Sequence, residues 1–185
     1  MSSHLAVHAT HEILSRRRAL QLLVLDQVRI EAWDRLLFVE CGDGCVAEEA
    51  WRRAPRAYAC GLDMWPAHVK LARQLREVPG KLEFKTWDGR RLPLADWGFD
   101  RVVATFALTQ FQDPAGVLRE VYRVVRPEGD VYVLEADRPD RDLRATLERV
   151  GFAAVRDLTR SETALLIHAC AAVPARSASR GPGTS

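Results

Sequence analysis

No stretch of this chain stays apolar for the roughly 18 residues that a membrane-spanning helix needs. The first residues also lack the basic, apolar and small-residue sectors of a signal peptide. No membrane partner is expected, and the expected compartment is the cytoplasm. Cysteine is scarce. The four present, Cys41, Cys45, Cys60 and Cys170, form no Cys-x-x-Cys pair, and they read as buried, reduced thiols rather than a metal or disulfide framework. An excess of charge of one sign is missing too. Lys and Arg total 27 against 25 Asp and Glu, and the basic residues, mostly arginine, are scattered. With no basic stripe interleaved with aromatics, nucleic acid is not an expected partner.

What is present is a chain of 185 residues, 48% apolar and 28% charged, enough for one substantial core. The expected organisation is an N-terminal helical segment over 1–30, an α/β domain over 31–173 and a disordered tail over 174–185, rich in Ala, Arg, Ser, Gly and Pro. His4, His8 and His11 fall at helical spacing, but no carboxylate or cysteine supports them, and no metal site is expected. Ile13, Leu20, Leu23, Val24 and Gln27 fit an amphipathic helix over 12–28, with Arg16, Arg17 and Arg18 read as a solvated face.

Strand and helix then alternate. Strands are expected at Arg35–Glu40, Ala57–Leu62, Leu82–Trp87, Asp100–Thr105 and Val131–Glu135. Helices are expected at Cys45–Arg53, Ala67–Arg76 opened by Pro66, from Asp113-Pro114 to about Val125, and at Leu143–Val150. Two last strands, Ala153–Leu158 and Ala164–Ala171, read as an antiparallel hairpin at one edge. Repeated strand–helix units imply an α/β fold: a seven-stranded, mostly parallel sheet with helices on both faces.

The most informative stretch runs from Leu36 to Ala47, an apolar strand entering the turn Gly42-Asp43-Gly44. A second strand ends in Asp63, 19 residues after Gly44. Strand, glycine turn, helix, strand and acid make the layout of a nucleotide-type cofactor site. Glycines let a ligand approach the backbone, the helix N-terminus favours its polar end, and the acid accepts from ribose hydroxyls. Gly42-x-Gly44-x-x-Ala47 satisfies a loose dinucleotide fingerprint. A nicotinamide enzyme of the Tyr-x-x-x-Lys kind is not supported, because Arg126 stands at that offset from Tyr122.

Leu37 to Leu134 resembles the class I S-adenosylmethionine-dependent methyltransferases, in particular the small-molecule branch that includes the ubiquinone and menaquinone C-methylases. The resemblance is carried in order by the Gly42/Gly44 turn, Gly61-Leu62-Asp63-Met64, Trp87-Asp88-Gly89-Arg90-Arg91-Leu92-Pro93-Leu94, Phe99 to Ala104, and Gln112-Asp113-Pro114 through Pro127-Glu128-Gly129. It implies a Rossmann-like fold, S-adenosyl-L-methionine as cofactor and methyl transfer to a small-molecule substrate. By the resemblance, Asp63 accepts both ribose hydroxyls and Asp88 the adenine amino group. Met64 and Trp87 flank the ring, and Ala104 and Thr105 line the methionine end.

The chain departs from the pattern at several points. Phe38 stands where an acid is usual, and Glu40 where the first glycine is usual. Strand alternation puts positions 38 and 40 on one face, so Glu40 either substitutes for the missing acid or fills the methionine pocket and blocks it. Glu128 replaces a turn glycine, and Thr109-Gln110 replaces a His pair, leaving no evident catalytic base; His68 is expected to face solvent. Only seven residues, Ala136–Asp142, separate strand five from the next helix. The substrate pocket is therefore expected to be shallow, or to be completed by the N-terminal helix, a second copy in a homodimer or a partner protein. A catalytically inactive binding protein of the same fold stays open as the alternative.

Overall fold

The computed structural model describes residues 19–136, 142–161 and 164–173. The expectations for residues 1–18, the His4, His8 and His11 trio and Arg16 to Arg18 among them, and for the tail over 174–185 lie outside the described residues.

Seven strands form one sheet: β1 (Arg35–Val39), β2 (Tyr58–Asp63), β3 (Leu82–Thr86), β4 (Phe99–Thr105), β5 (Val125–Glu135), β6 (Phe152–Arg160) and β7 (Leu165–Ala171). Their order is β3-β2-β1-β4-β5-β7-β6. Pairings from β3 through β5 are parallel, and β7 runs antiparallel to both β5 and β6. The expected doubly covered α/β sheet and its antiparallel edge hairpin are both present.

Residues 19–24 are helical (α1), followed by α2 (Cys45–Arg53), α3 (Pro66–Arg76), α4 (Pro114–Val124) and α5 (Leu143–Val150). Alternation along β1 sorts the helices into two layers. Leu37 and Val39 pack with Val117, Leu118 and Val121 of α4 and Leu147 of α5. Leu36 and Phe38 pack with Val46, Ala47 and Ala50 of α2, Val69 and Ala72 of α3, and Val24, Leu25 and Val28 from the N-terminal segment. Each fully buried Leu or Phe here contributes about 1.5–3 kcal/mol, and a strand covered on both faces must be apolar at successive positions, as Leu36 to Val39 are.

Local chemistry sets the helix starts. The Asp113 side chain accepts from the Gly116 N–H at 2.8 Å, with Pro114 in the first turn. Asp142 accepts from the Ala145 N–H at 2.9 Å, and Pro66 opens α3. Two boundaries differ from expectation by more than two residues; the others agree within that margin. Helix α1 ends at residue 24 rather than 28, because residues 25–28 tighten into i→i−3 hydrogen bonds that turn Leu25 and Val28 into the core. Strand β5 starts at Val125 rather than Val131: Val125 pairs with Phe99, and the ladder resumes at Arg101 with Asp130. The Arg126-Pro127-Glu128-Gly129 turn is thus a bulge inside the strand, with Glu128 at φ 63.

Candidate cofactor cleft

The parallel strands end together at one rim, where an open α/β sheet places ligands. Asp63, the last residue of β2, is 2% exposed. One of its oxygens accepts from the Gly42 N–H at 2.8 Å, and the other from the Trp65 N–H at 2.8 Å. His68 Nδ1 lies 3.1 Å from that second oxygen. A short carboxylate thus ties the β1 turn to the start of α3, with charge-assisted hydrogen bonds worth about 1.5–3 kcal/mol each. His68 is half exposed, as expected for a solvent-facing residue, yet its ring reaches the acid.

The turn after β1 is built on left-handed backbone. Gly44 has φ 79 at the N-cap of α2, and a Cβ there would lie 2.5 Å from the buried Phe84 ring. Only glycine fits this spot. At Gly42, by contrast, a Cβ would meet nothing within 4 Å, so the backbone there faces open space.

Glu40 also sits at positive φ, 59°, a conformation that costs a side-chain-bearing residue about 1–2 kcal/mol. It is 6% exposed, and its carboxyl accepts from the Trp87 indole N–H at 2.9 Å. Burial pushes the Glu40 carboxyl up to about 7. The Trp87 hydrogen bond opposes that rise and the neighbouring Asp63 charge adds to it. The expectation that positions 38 and 40 share a face is corrected here. Phe38 packs in the layer of α2 and α3, whereas Glu40 reaches Trp87 in the opposite layer, because the left-handed turn at 40 breaks strand alternation.

A cleft of about 240 Å³ opens between these groups, lined by Gln21, Glu40, Gly42, Asp63, Trp65, His68 and Gln110. Gln21 reaches down from α1 and donates to the Thr105 hydroxyl at 2.8 Å, at the end of β4. Gln110 comes from the short 3-10 turn Leu108–Gln110. Sequence reasoning did not select Gln21 as a wall of the site; no local pattern marks it, since its partner lies 84 residues away. In the sequence, Gln110 stands out only as a replacement and His68 only as a surface residue.

The remaining expected residues fall into three places. Met64 and Trp87 pack beside the cleft, with the Trp87 and Phe111 ring centroids 5.2 Å apart. Ala104 is fully buried in the core below the rim, paired with Val39 and Val133. Asp88 is exposed and caps its own turn, accepting from the Arg90 and Arg91 N–H groups at 2.9 and 3.0 Å, which hold its carboxyl below the usual range. A second cleft, about 320 Å³, lies over Leu22, Cys45, Glu48, Glu49, Arg52 and Arg76; its arginines are paired with Glu48 and Asp43, so it offers no open chemistry.

Among the described residues lining the first cleft there is no serine, cysteine or lysine. The site can bind and orient a ligand carrying hydroxyls and positive charge. Among the described residues, neither Glu40 nor Asp63 faces a buried cation there.

Comparison with known proteins places residues 37–133 within a family described as a methyltransferase domain. The demethylmenaquinone methyltransferase of Thermus thermophilus is 34% identical over 141 residues, covering 76% of this chain and 62% of that protein. The ubiquinone/menaquinone biosynthesis C-methyltransferase UbiE of Dinoroseobacter shibae is 34% identical over 115 residues, 60% of this chain and 46% of that protein. The chain therefore spans about half to two thirds of the length of these curated relatives. Among solved structures, the complex between a Haloferax volcanii methyltransferase activator and the putative methyltransferase contains a similar fold, with TM-score 0.72 and 19% identity over 86% of this chain and 95% of that one.

Proposed function

The chain belongs to the methyltransferase-domain family, and from that premise we propose that it transfers a methyl group from S-adenosyl-L-methionine to a small-molecule acceptor. The observation that carries this reading is the pairing of Asp63 with the Gly42 N–H at the joined ends of β1 and β2, beside backbone that faces open space. The cofactor, when bound, supplies a sulfonium methyl whose departure leaves a neutral thioether, so positioning can account for much of the acceleration without a catalytic base.

In this reading Asp63 accepts from the ribose hydroxyls with the lone pairs its backbone donors leave free. Gly42 and Gly44 keep the turn low enough for close approach. Met64, Trp87 and Asp88 form the adenine side, with Asp88 reaching over from its exposed turn. Ala104, through its backbone, and Thr105 form the methionine side, and Glu40 supplies the negative charge next to the cationic end. The 240 Å³ cleft is below the roughly 300–1,000 Å³ of typical small-molecule pockets, and the Gln21–Thr105 hydrogen bond ties α1 to the end of β4 as one of its walls. Helix α1 must therefore yield on binding, and a second copy or partner protein completes the substrate pocket. The names of the relatives make a demethylated quinol the first acceptor to try. The four free cysteines support a reducing, cytoplasmic setting.

One observation favours the inactive alternative: Glu40 holds Trp87 across the wall of the cleft. Calorimetric titration with S-adenosylmethionine, S-adenosylhomocysteine and NAD separates the readings. Binding of S-adenosylhomocysteine that Asp63→Ala abolishes is the expected result. Binding by Glu40→Gly but not by the natural chain would establish the inactive reading, and binding of NAD alone would reject both.

A further inference from the structure

At the opposite end of the sheet, three side chains able to ligate a metal converge. Asp130 of β5 and Cys170 of β7 are register partners across the antiparallel pair, and His168 lies two residues from Cys170 on the same face. His168 Nε2 is 2.8 Å from Asp130 Oδ1, and Cys170 Sγ is 3.4 Å from that same oxygen and 3.9 Å from His168 Nε2. We propose that Asp130, His168 and Cys170 bind a single zinc-type divalent cation. This site is separate from the cleft and does not rest on the methyl-transfer reading.

The geometry supports this assignment. A tetrahedral ion with Zn–N and Zn–O near 2.0 Å and Zn–S near 2.3 Å needs ligand separations of about 3.3–3.5 Å. The three separations found bracket that range, so side-chain shifts of about half an ångström open the site. The ligand set of one thiolate, one imidazole and one carboxylate suits a borderline-soft ion rather than magnesium or calcium. A thiolate and a carboxylate together balance a divalent charge.

The surroundings hold the ligands in place. Arg101 Nη1 lies 3.1 Å from Asp130 Oδ2 and so fixes that oxygen, leaving Oδ1 as the one on which His168 and Cys170 converge. His168 is 5% exposed and is flanked by the Tyr132 ring at 4.9 Å between centroids. Its Nδ1 has no partner among the described residues, so the imidazole makes its polar contacts only through the edge that faces the cluster. Asp130 and Cys170 are partly exposed, which gives an ion a way in and leaves the fourth position to water. Such an ion would fasten β7 to β5 at the end of the sheet remote from the cleft.

Cobalt(II) titration of the full, reduced chain tests this. One equivalent is expected to give a thiolate-to-cobalt charge-transfer band with tetrahedral visible absorption, both removed by one equivalent of zinc. Cys170→Ser should lose the charge-transfer band, and Asp130→Asn should weaken cobalt binding with the chain still folded by circular dichroism. A wild-type chain that gives no thiolate band overturns the proposal. So does cobalt held without that band, the outcome if His4, His8 and His11 bind it, or the same band in Cys170→Ser, which would place the ion at another cysteine.

Discussion

The two ends of the sheet both bury charged side chains, and they handle the charge differently. At the end remote from the cleft, Arg101 lies between Asp34, at 3.7 Å, and Asp130, at 3.1 Å, and His168 adds a further contact to Asp130. At the cleft end, Glu40 and Asp63 lie close together and, among the described residues, meet N–H donors and a half-exposed histidine. The first arrangement sets its two carboxylates against one buried guanidinium. The second leaves negative charge unspent, held by backbone dipoles and one indole, and Glu40 responds by keeping its proton to near neutrality. Strain and perturbed carboxyls of this kind cluster at functional sites, which supports the proposal of a cationic cofactor at that rim.

The contrast can be broken or sharpened by substitution. The largest effect is expected from Arg101→Met, which leaves Asp34 and Asp130 without their cation. Unfolding in urea should show a loss of about 3 kcal/mol, and a loss below about 1 kcal/mol would mean that the remote end is no better paired than the cleft.

Glu40→Gln probes the other end through pH. The unfolded carboxyl releases its proton near 4.5 and the folded one near 7, so between those values the folded state binds more protons. Its contribution to stability falls as pH rises across that window. At 1.36 kcal/mol per unit the wild type should lose about 3 kcal/mol between pH 4.5 and 7.5 relative to Glu40→Gln. Parallel stability–pH curves for the two proteins would remove the mismatch from the account.

Thr105→Val takes away the acceptor that holds Gln21 over the cleft. A loss of about 1 kcal/mol is expected, together with faster amide exchange in residues 19–24; unchanged exchange would mean that this hydrogen bond does not hold α1 down. The smallest effect should come from Asp88→Ala. Its melting temperature should fall only slightly, because the two backbone N–H groups it caps lie at an exposed turn where water replaces the carboxylate, while S-adenosylhomocysteine binding weakens as the adenine role requires.

Much of this was legible in the chain itself. Apolar runs such as Leu36 to Val39 located the strands, because burial on both faces of a parallel sheet demands that pattern. Asp113-Pro114 marked a helix start, and Gly42 and Gly44 marked a tight turn after β1; that a side chain at 44 would strike Phe84 is visible only in the fold. The β5 bulge was not legible, since Pro127 and Gly129 look the same in a loop as in a strand that steps around a proline.

The site divides in the same way. Gly42 and Asp63 were read from spacing, and the structure joins them by one hydrogen bond. Trp87 was read as a flank of the cofactor, but its bond to Glu40 spans 47 residues and leaves no trace in local sequence. Asp88 and Asp63 looked alike in sequence, each closing a strand, yet one is buried and the other caps an exposed turn.

By itself, then, the sequence determined the order of elements, the family and the acid at the end of β2, because each depends on residues that are neighbours along the chain. Only the tertiary structure decided that Glu40 turns toward Trp87, that Gln21 lines the cleft, and that Asp130 meets His168 and Cys170. Those contacts depend on backbone handedness at single positions and on the register of strands far apart in sequence, neither of which a local pattern encodes.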